Sequence, residues 1–313
     1  YIISIVYLIG RNIKIDEVFF NTIKKIFKYL IISIIFFLCF EFTLSTHFHT
    51  IIDFPNYNII VNEIDPQGNF GLSWSFESQG SSPRYAAFFA DPLELSASLL
   101  LLTSLLIYNL WNSKRNTNYF LIFLVVVAFL LSFSRGAIVA CIGIVLFALL
   151  LNKKYKTLLF IFGSCILSTL SLLYFGSEEI RYLIIDTLKF ENTSSLGHLV
   201  EWIEGILSIF ENPLGIGLAM SGNASGVDQA IKVGGENQFL IFGVQMGVLS
   251  LIIYILILFY IIRRSCNVYY MSSNSDKHIS FIVACTKFGL LLPLLTANAE
   301  LYLFVSLATW FFA

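Results

Sequence analysis

The chain has 313 residues, of which 57% are hydrophobic, 16% aromatic and 12% charged, and its formal net charge is -1. A soluble domain carries about 25% charged residues, so this composition excludes a soluble enzyme and a disordered chain. The balanced charge provides no basic field for a nucleic acid. The long apolar runs predict an all-α fold, a polytopic bundle of transmembrane helices.

Apolar runs of membrane-spanning character occur along the whole chain. A bilayer core needs about 20 apolar residues per helix, and we expect about nine spans. The first and last runs are partial, which predicts that both ends are truncated. The predicted spans are Tyr1–Ile9, Tyr29–Thr46, Pro92–Trp111, Tyr119–Ser134, Gly136–Leu151, Leu158–Phe175, Gln238–Ile262, Ile279–Thr296 and Leu301–Ala313. With no repeat or linker in the sequence, residues 1–313 are predicted to form a single membrane domain.

The charges predict the orientation of the spans. Thirteen of the nineteen Lys and Arg residues, but only three of the twenty acids, lie in four connecting segments. These segments are Gly10–Lys28, Asn112–Asn118, Asn152–Thr157 and Arg263–His278. The positive-inside rule places them in the cytoplasm. Two long segments, residues 47–91 and 176–237, then face the opposite side.

The first of these outer segments ends in a motif that could bind a substrate. Arg84 and Tyr85 precede Asp91-Pro92, a pair that predicts a capped helix start. Glu94, one turn into that helix, could pair with Arg84 or act as a first-turn acid. Arg84 itself is either a functional cation or an ordinary interfacial arginine.

A second arginine lies at a tight turn between two spans. Arg135 stands in Ser134-Arg135-Gly136, with almost no loop on either side. Its planar fork of donors suits phosphate oxygens. The alternative is an arginine that only marks the membrane interface.

The second outer segment contains a predicted amphipathic helix over residues 195–211, which ends before Pro213. His198 and Glu201 are three positions apart, so they share one face of this helix. They could act as an acid–base pair or bind a sugar hydroxyl, or they could form an ordinary solvated pair. Trp202 adds an aromatic surface beside them.

The last polar motif is Glu236-Asn237, which opens the predicted span Gln238–Ile262. A carboxylate at a helix start could be a base at the membrane boundary or only a partner of the helix dipole. Gly243 and Gly247 are four apart, and this spacing favours close helix packing.

The sequence gives little support for a metal site. His47 and His49 are two apart in an outer segment, without a third ligand nearby. The five cysteines contain no CxxC pair, which argues against a zinc site and a disulfide framework. We expect no metal and no cofactor.

Taken in chain order, these motifs resemble the O-antigen ligase and O-antigen polymerase superfamily of bacterial inner-membrane glycosyltransferases. The resemblance covers about residues 80 to 262. It rests on the segment Arg84–Pro92, the turn Ser134–Ala137, the Trp202 helix with the following Asn212–Gly217, and Glu236-Asn237.

The resemblance implies a C-type glycosyltransferase-like bundle with a site on the periplasmic face. Its substrates would be glycans on undecaprenyl pyrophosphate, in which the lipid pyrophosphate leaves. Catalytic roles are implied for Arg135, His198 and Glu236. Substrate binding is assigned to another five residues, Arg84, Tyr85, Glu201, Trp202 and Asn237.

The departures from the ligase pattern favour a polymerase. His198 stands where the ligases have an arginine, and Glu236 stands where they have a histidine. We therefore expect polymerisation of lipid-linked repeat units into O-antigen, capsule or exopolysaccharide. The alternative within the superfamily is a ligase that transfers glycan to lipid A core or to protein.

A transporter of lipid-linked glycans is the alternative from another class. Transporters place charges or broken helices near the bilayer midplane. Here the middle of most predicted spans is free of charge, and only Glu41 and Lys287 are candidates, with Glu41 near a span end. The expected partners are lipid-linked glycans, membrane lipids, a flippase and chain-length regulators, with no nucleic acid.

Overall fold

The computed structural model describes residues 2–13, 16–62, 71–77, 82–113, 115–178, 181–182, 185, 193–222, 232–272 and 275–313. These residues form thirteen α-helices. They are α1 Ile2–Asn12, α2 Glu17–Leu44, α3 Phe48–Ile51, α4 Phe54–Asn62, α5 Pro92–Asn112, α6 Asn116–Ser132, α7 Arg135–Leu151, α8 Tyr155–Phe175, α9 Thr193–Glu211, α10 Gln238–Met246, α11 Val248–Met271, α12 Ser275–Thr296 and α13 Leu303–Phe312. Two 3₁₀ turns, Trp74–Phe76 and Ala299–Leu301, complete the regular structure.

The helices confirm a polytopic membrane fold. Within the described residues, α2, α5, α8, α11 and α12 are each long and apolar enough to cross a membrane. The apolar helices α1, α6, α7 and α13 are shorter, at 10 to 17 residues. The protein is therefore a helical membrane protein with several spans, as its composition predicts.

One apolar run that was predicted as a single span is instead divided into two helices. The apolar run Gln238–Ile262 forms two helices, α10 and α11, which are separated at Gly247. Gly247 has φ +87°, and a side chain there would overlap the backbone of Pro213 and Leu214. Since only glycine adopts this conformation readily, Gly247 ends α10 instead of continuing one long span. Gly243 matches the packing prediction, because a side chain there would overlap Ile209 of α9.

The helices form two compact units. The first contains Tyr1–Ile144, Tyr260–Pro293 and Ala299–Ala313, and the second contains Val145–Phe259 and Leu294–Asn298. The centre of the first unit is α5, whose residues from Leu95 to Leu106 are all buried.

Helices in the core of the first unit pack closely against one another. Thr286 of α12 donates a hydrogen bond to Ser104 of α5 over 3.0 Å between the hydroxyl oxygens. Gly289 lets α12 approach Ile144 of α7, because a side chain at that position would overlap Ile144. This close packing surrounds the helix α5, whose first turn follows the Arg84 segment.

In the second unit, α9 packs against α10. Ile209, Leu240 and Val244 form a buried apolar cluster, with Trp202 and Leu251 at its edge. Gly205 allows the approach, since a side chain there would lie 3.2 Å from Leu240. This packing fixes the amphipathic helix that carries His198 and Glu201.

Candidate functional site

The Arg84 segment is held by backbone hydrogen bonds on both sides. The Arg84 amide donates to the carbonyl of Phe76 over 2.8 Å, and the Tyr85 amide donates to Leu131 at the end of α6 over 3.1 Å. The last carbonyls of a helix lack partners within it, so the Tyr85 amide satisfies one of them. This arrangement fixes Arg84 beside the turn between α6 and α7.

The start of α5 is capped in the predicted way. The Asp91 side chain accepts from the Glu94 amide over 2.7 Å, with Pro92 at the first helical position. Burial raises the pKa of Asp91. Glu94 accepts from the Ala90 amide over 3.2 Å, so it serves the helix start, and the structure records no ion pair between it and Arg84 in the described residues.

Arg135 is the first residue of α7, directly after a tight turn. Phe133 ends α6 in the left-handed conformation, with φ 47°. The next carbonyl, that of Ser134, already accepts from Ile138 in α7. Two helices therefore meet at Arg135 with almost no connecting loop, as the sequence indicates.

Arg84 and Arg135 act on each other electrostatically. Burial, and then the positive charge of Arg135, lower the pKa of Arg84. The buried Nε of Arg84 has no hydrogen-bond partner among the described residues. A cation with an unused buried donor, next to a second cation, forms an arrangement that suits an anion.

Tyr85 lies next to this pair and is buried. Its ring packs against His47 and Phe42, with ring centroids 5.5 and 6.1 Å apart. Burial and the nearby Glu41 charge raise the pKa of the Tyr85 hydroxyl. Tyr85 therefore packs beside Arg84, and its role in substrate binding stays a prediction.

His47 and His49 belong to an aromatic cluster. Both are buried, and both pack edge-on against Phe76 with centroids 5.2 and 4.9 Å away. Burial, together with His49, lowers the pKa of His47 to about 4. In the described part of the chain, no group of three His, Cys, Asp or Glu residues is arranged to hold a metal ion.

His198 and Glu201 share a face of α9. The Nδ1 atom of His198 lies 3.5 Å from a carboxylate oxygen of Glu201. Both side chains are partly exposed, and the contact agrees with the shared helix face that the spacing predicts. The Trp202 Nε1 atom beside it is buried without a hydrogen-bond partner in the described residues.

The Gly234-Gly235 segment approaches this pair closely. A side chain at Gly235 would overlap the Glu201 carboxylate, and one at Gly234 would lie 3.0 Å from Gly205. The glycines therefore bring the segment against α9. Glu236 follows directly and is half-buried, so His198, Glu201 and Glu236 belong to one region of the second unit.

Asn237, rather than Glu236, caps α10. Its side chain accepts from the amides of Phe239 and Leu240 over 3.0 and 3.3 Å. An asparagine in this position satisfies helix donors that would otherwise lack partners. The side-chain cap of this helix is therefore Asn237, and both predicted roles of Glu236, as a base or as a partner of the helix dipole, stay predictions.

Sequence reasoning missed how the loop after α9 closes the end of α10. The amides of Ile216 and Gly217 donate to Val244 and Gln245 over 2.8 and 3.2 Å. The Gln245 side chain donates to the Ser221 carbonyl over 2.7 Å. The glycine-rich pattern after Pro213 was the available signal, but it did not specify these partners.

Sequence reasoning also missed the partner of Lys287. Its Nζ lies 3.6 Å from Glu300, and both side chains are buried. Glu300 also accepts from Ser306 over 2.8 Å and from Trp310 over 3.0 Å. A lone ionisable residue within a predicted span indicates a buried polar site. Its partner was not predicted, because Glu300 lies beyond the end of α12.

These observations define a class: a multi-pass helical membrane protein with two arginines near helix ends and a His–Glu contact on an amphipathic helix. Residues 120–255 match the family model of the O-antigen ligase. The match confirms the resemblance to the O-antigen polymerase and ligase superfamily, whose members are glycosyltransferase-like enzymes acting on lipid-linked glycans. The matched segment includes Arg135, His198 and Glu236, whereas Arg84 precedes it. The searches of curated proteins and of solved structures gave no match.

Proposed function

We propose that this protein polymerises undecaprenyl-pyrophosphate-linked repeat units on the periplasmic face of a bacterial inner membrane. The observation that carries this proposal is the position of Arg84 beside the turn that leads into Arg135, where the Tyr85 amide donates to Leu131. The buried Nε of Arg84 has no hydrogen-bond partner among the described residues, which leaves a donor for an anion. A departing lipid pyrophosphate is the anion that this chemistry requires.

The proposed reaction needs no metal and no nucleotide, because the donor is already activated. The hydroxyl oxygen of the acceptor sugar bonds to the anomeric carbon of the donor glycan. The bond from that carbon to the pyrophosphate oxygen breaks, and its electron pair leaves with the lipid pyrophosphate. Arg84 and Arg135 stabilise the charge that develops on the leaving group.

The hydroxyl proton requires an acceptor, and Glu236 is the proposed base. Asn237 supplies the side-chain cap of the following helix, and Glu236 directly precedes it. His198, paired with Glu201, is the other candidate for the same role. Trp202 and Asn237 keep their predicted place in substrate binding as part of this proposal.

The second candidate is a ligase, which the match to the O-antigen ligase family favours. The two functions differ in the acceptor, which is another lipid-linked glycan for a polymerase and lipid A core or protein for a ligase. A flippase and a chain-length regulator are proposed partners of the polymerase.

Lipid-linked products in cells that lack the protein distinguish the two functions. Accumulation of single repeat units on the carrier lipid is the result expected for a polymerase. Accumulation of long polymers on the carrier would instead establish the ligase. Purified protein supplied only with lipid-linked repeat units should form polymer, and failure to do so would contradict the polymerase.

A further inference from the structure

Glu41 lies fully buried near the end of α2, in an otherwise apolar stretch of sequence. One carboxylate oxygen accepts from the Phe48 amide over 2.9 Å, and the other accepts from the Ala87 amide over 2.9 Å. The Ala86 amide also faces the carboxylate. This single side chain therefore joins α2 to two segments that lie about 40 residues apart.

A buried carboxylate is expensive unless polar groups satisfy it. Among the described residues, no Lys or Arg forms an ion pair with Glu41. Backbone amides provide its partners instead, and an ionisable residue within a span marks a functional site by default. A role beyond packing is therefore expected, because an apolar side chain would fill the same volume without the cost of burying a charge.

The segment that Glu41 holds is the one that carries Arg84. Ala87 has φ 53°, a left-handed conformation that disfavours any residue with a Cβ. The hydrogen bond from its amide to Glu41 stabilises this turn, three residues after Arg84. Without Glu41, the turn would lose the contact that offsets its strain.

The same segment is also tied to the Arg135 turn. The Tyr85 amide donates to Leu131, four residues before Arg135 in the chain. Arg84 thus precedes two anchored residues, Tyr85, which is held on α6 through Leu131, and Ala87, which is held on α2 through Glu41. A shift at Ala87 would move Arg84 relative to Arg135.

We propose that Glu41 is a positioning residue that sets the spacing of Arg84 and Arg135 for binding of the pyrophosphate leaving group. This proposal rests on the proposed function, because it assigns Glu41 a role in the anion site of that reaction. Glu41 touches neither the substrate nor the reacting atoms. It acts through the backbone of residues 84–87.

The test compares Glu41→Gln with Glu17→Gln, an exposed carboxylate at the start of the same helix. Both proteins are reconstituted in liposomes with lipid-linked repeat units, and kcat and KM are normalised to folded protein. Glutamine keeps one acceptor oxygen but turns an NH₂ group toward the second amide. Displacement of a catalytic group by about 1 Å can lower a rate by up to about 100-fold. We therefore expect kcat to fall by at least about 10-fold in Glu41→Gln. Glu17→Gln should match the parent.

A double-mutant cycle separates positioning from general destabilisation. If Glu41 acts through Arg84, Glu41→Gln combined with Arg84→Lys should be about as slow as Arg84→Lys alone, since coupled residues are not additive. A structural role would lower the amount of folded protein and leave kcat per folded molecule unchanged. If Glu41→Gln does not fold, Glu41→Asp is measured in the same way, because it shortens the reach by one carbon and keeps the charge.

Three results would overturn the proposal, and they differ in whether the proposed anion site is overturned with it. Unchanged kcat in the folded Glu41 variant, with strong losses in the Arg84 and Arg135 variants, removes the positioning role alone. Independent, multiplying losses in the double variant do the same. Full activity in both Arg84→Ala and Arg135→Ala would overturn the proposed anion site, and the role of Glu41 with it.

Discussion

The ammonium group of Lys287 lies 3.6 Å from the Glu300 carboxylate and 4.3 Å from the centre of the Trp310 ring, in the interior of the first unit. Ser306 and Trp310 donate hydrogen bonds to the same carboxylate. The Glu300 carboxylate therefore has a counter-ion and two hydrogen-bond donors, in a polar network that joins α12 to α13.

Removal of the cation alone should destabilise the protein strongly. In Lys287→Met, Glu300 would remain as a buried charge without its counter-ion, and loss of one partner of such a pair costs about 3–5 kcal/mol. The free energy of unfolding, measured by denaturant titration in detergent micelles, checks this expectation. Lys156→Met, at an exposed lysine, serves as the control and should change it by less than about 0.5 kcal/mol.

The double variant Lys287→Met with Glu300→Gln should recover much of the lost stability, because it removes both charges and keeps an acceptor for Ser306 and Trp310. Equal stability of the parent and Lys287→Met would show that the pair contributes nothing to folding.

The sequence predicts most of the helices but not the contacts between distant segments. Apolar runs and caps are local signals, and Asp91-Pro92 and the turn before Arg135 follow from them directly. The partners of Glu41 and Lys287 depend on tertiary packing, which no local pattern specifies. Both residues stood out only as charges in apolar runs.

The break at Gly247 shows why apolar content alone misjudged one span. Hydrophobicity continues across this residue, so a pattern of apolar residues cannot distinguish one helix from two. The deciding facts are a φ of +87° and the approach of the Pro213 backbone, and both depend on a loop more than thirty residues earlier.

Gly247→Ala should therefore destabilise the second unit. The new methyl group would overlap the backbone of Pro213 and Leu214, and overpacking of this kind costs about 1–3 kcal/mol. Gly163→Ala is the matched control, because a side chain at Gly163 meets nothing within 4 Å and alanine favours the helix. Thermal unfolding of the two purified variants checks the difference. A Gly247→Ala protein as stable as Gly163→Ala would show that the break tolerates a side chain.

Arg135→Lys should lower the polymerisation rate although it keeps the charge. Lysine lacks the planar fork that binds two phosphate oxygens at once, and loss of one transition-state donor costs about 100- to 1000-fold in kcat. The rate of polymer formation from lipid-linked repeat units measures the effect. Arg181→Lys, an exposed arginine in the second outer segment, should retain the parental rate. Unchanged rates in both Arg135→Lys and Arg135→Ala, at equal protein level, would remove Arg135 from the site.

The orientation of the spans can be tested with single cysteines. In a variant with the five native cysteines replaced by serine, a cysteine at the exposed Asn116 should react only with a membrane-permeant reagent. One at the exposed Asn212 should also react with an impermeant reagent added from outside. Retained polymer formation by the serine variant serves as the control for folding. The reverse labelling pattern would overturn the positive-inside assignment and the periplasmic location of the proposed site.

Glu236 and Asn237 are neighbours with different expected roles, and a pair of variants separates them. Asn237 caps α10, so Asn237→Ala should cost about 1 kcal/mol of stability. Glu236→Gln keeps the size of the side chain and leaves that cap intact, so its unfolding should match that of the parent.

The order of the two variants should reverse when the rate of polymer formation is measured instead of stability. If Glu236 accepts the hydroxyl proton, Glu236→Gln should lower kcat by about 100-fold or more, because glutamine cannot take up the proton. Asn237→Ala should keep a higher kcat per folded molecule than Glu236→Gln, since its main effect is on the helix start. Both quantities come from one reconstituted preparation of each variant, with folded protein measured by size-exclusion chromatography. Near-parental polymerisation by Glu236→Gln would exclude Glu236 as the base. The proton acceptor would then be sought at His198, whose ring lies 3.5 Å from Glu201.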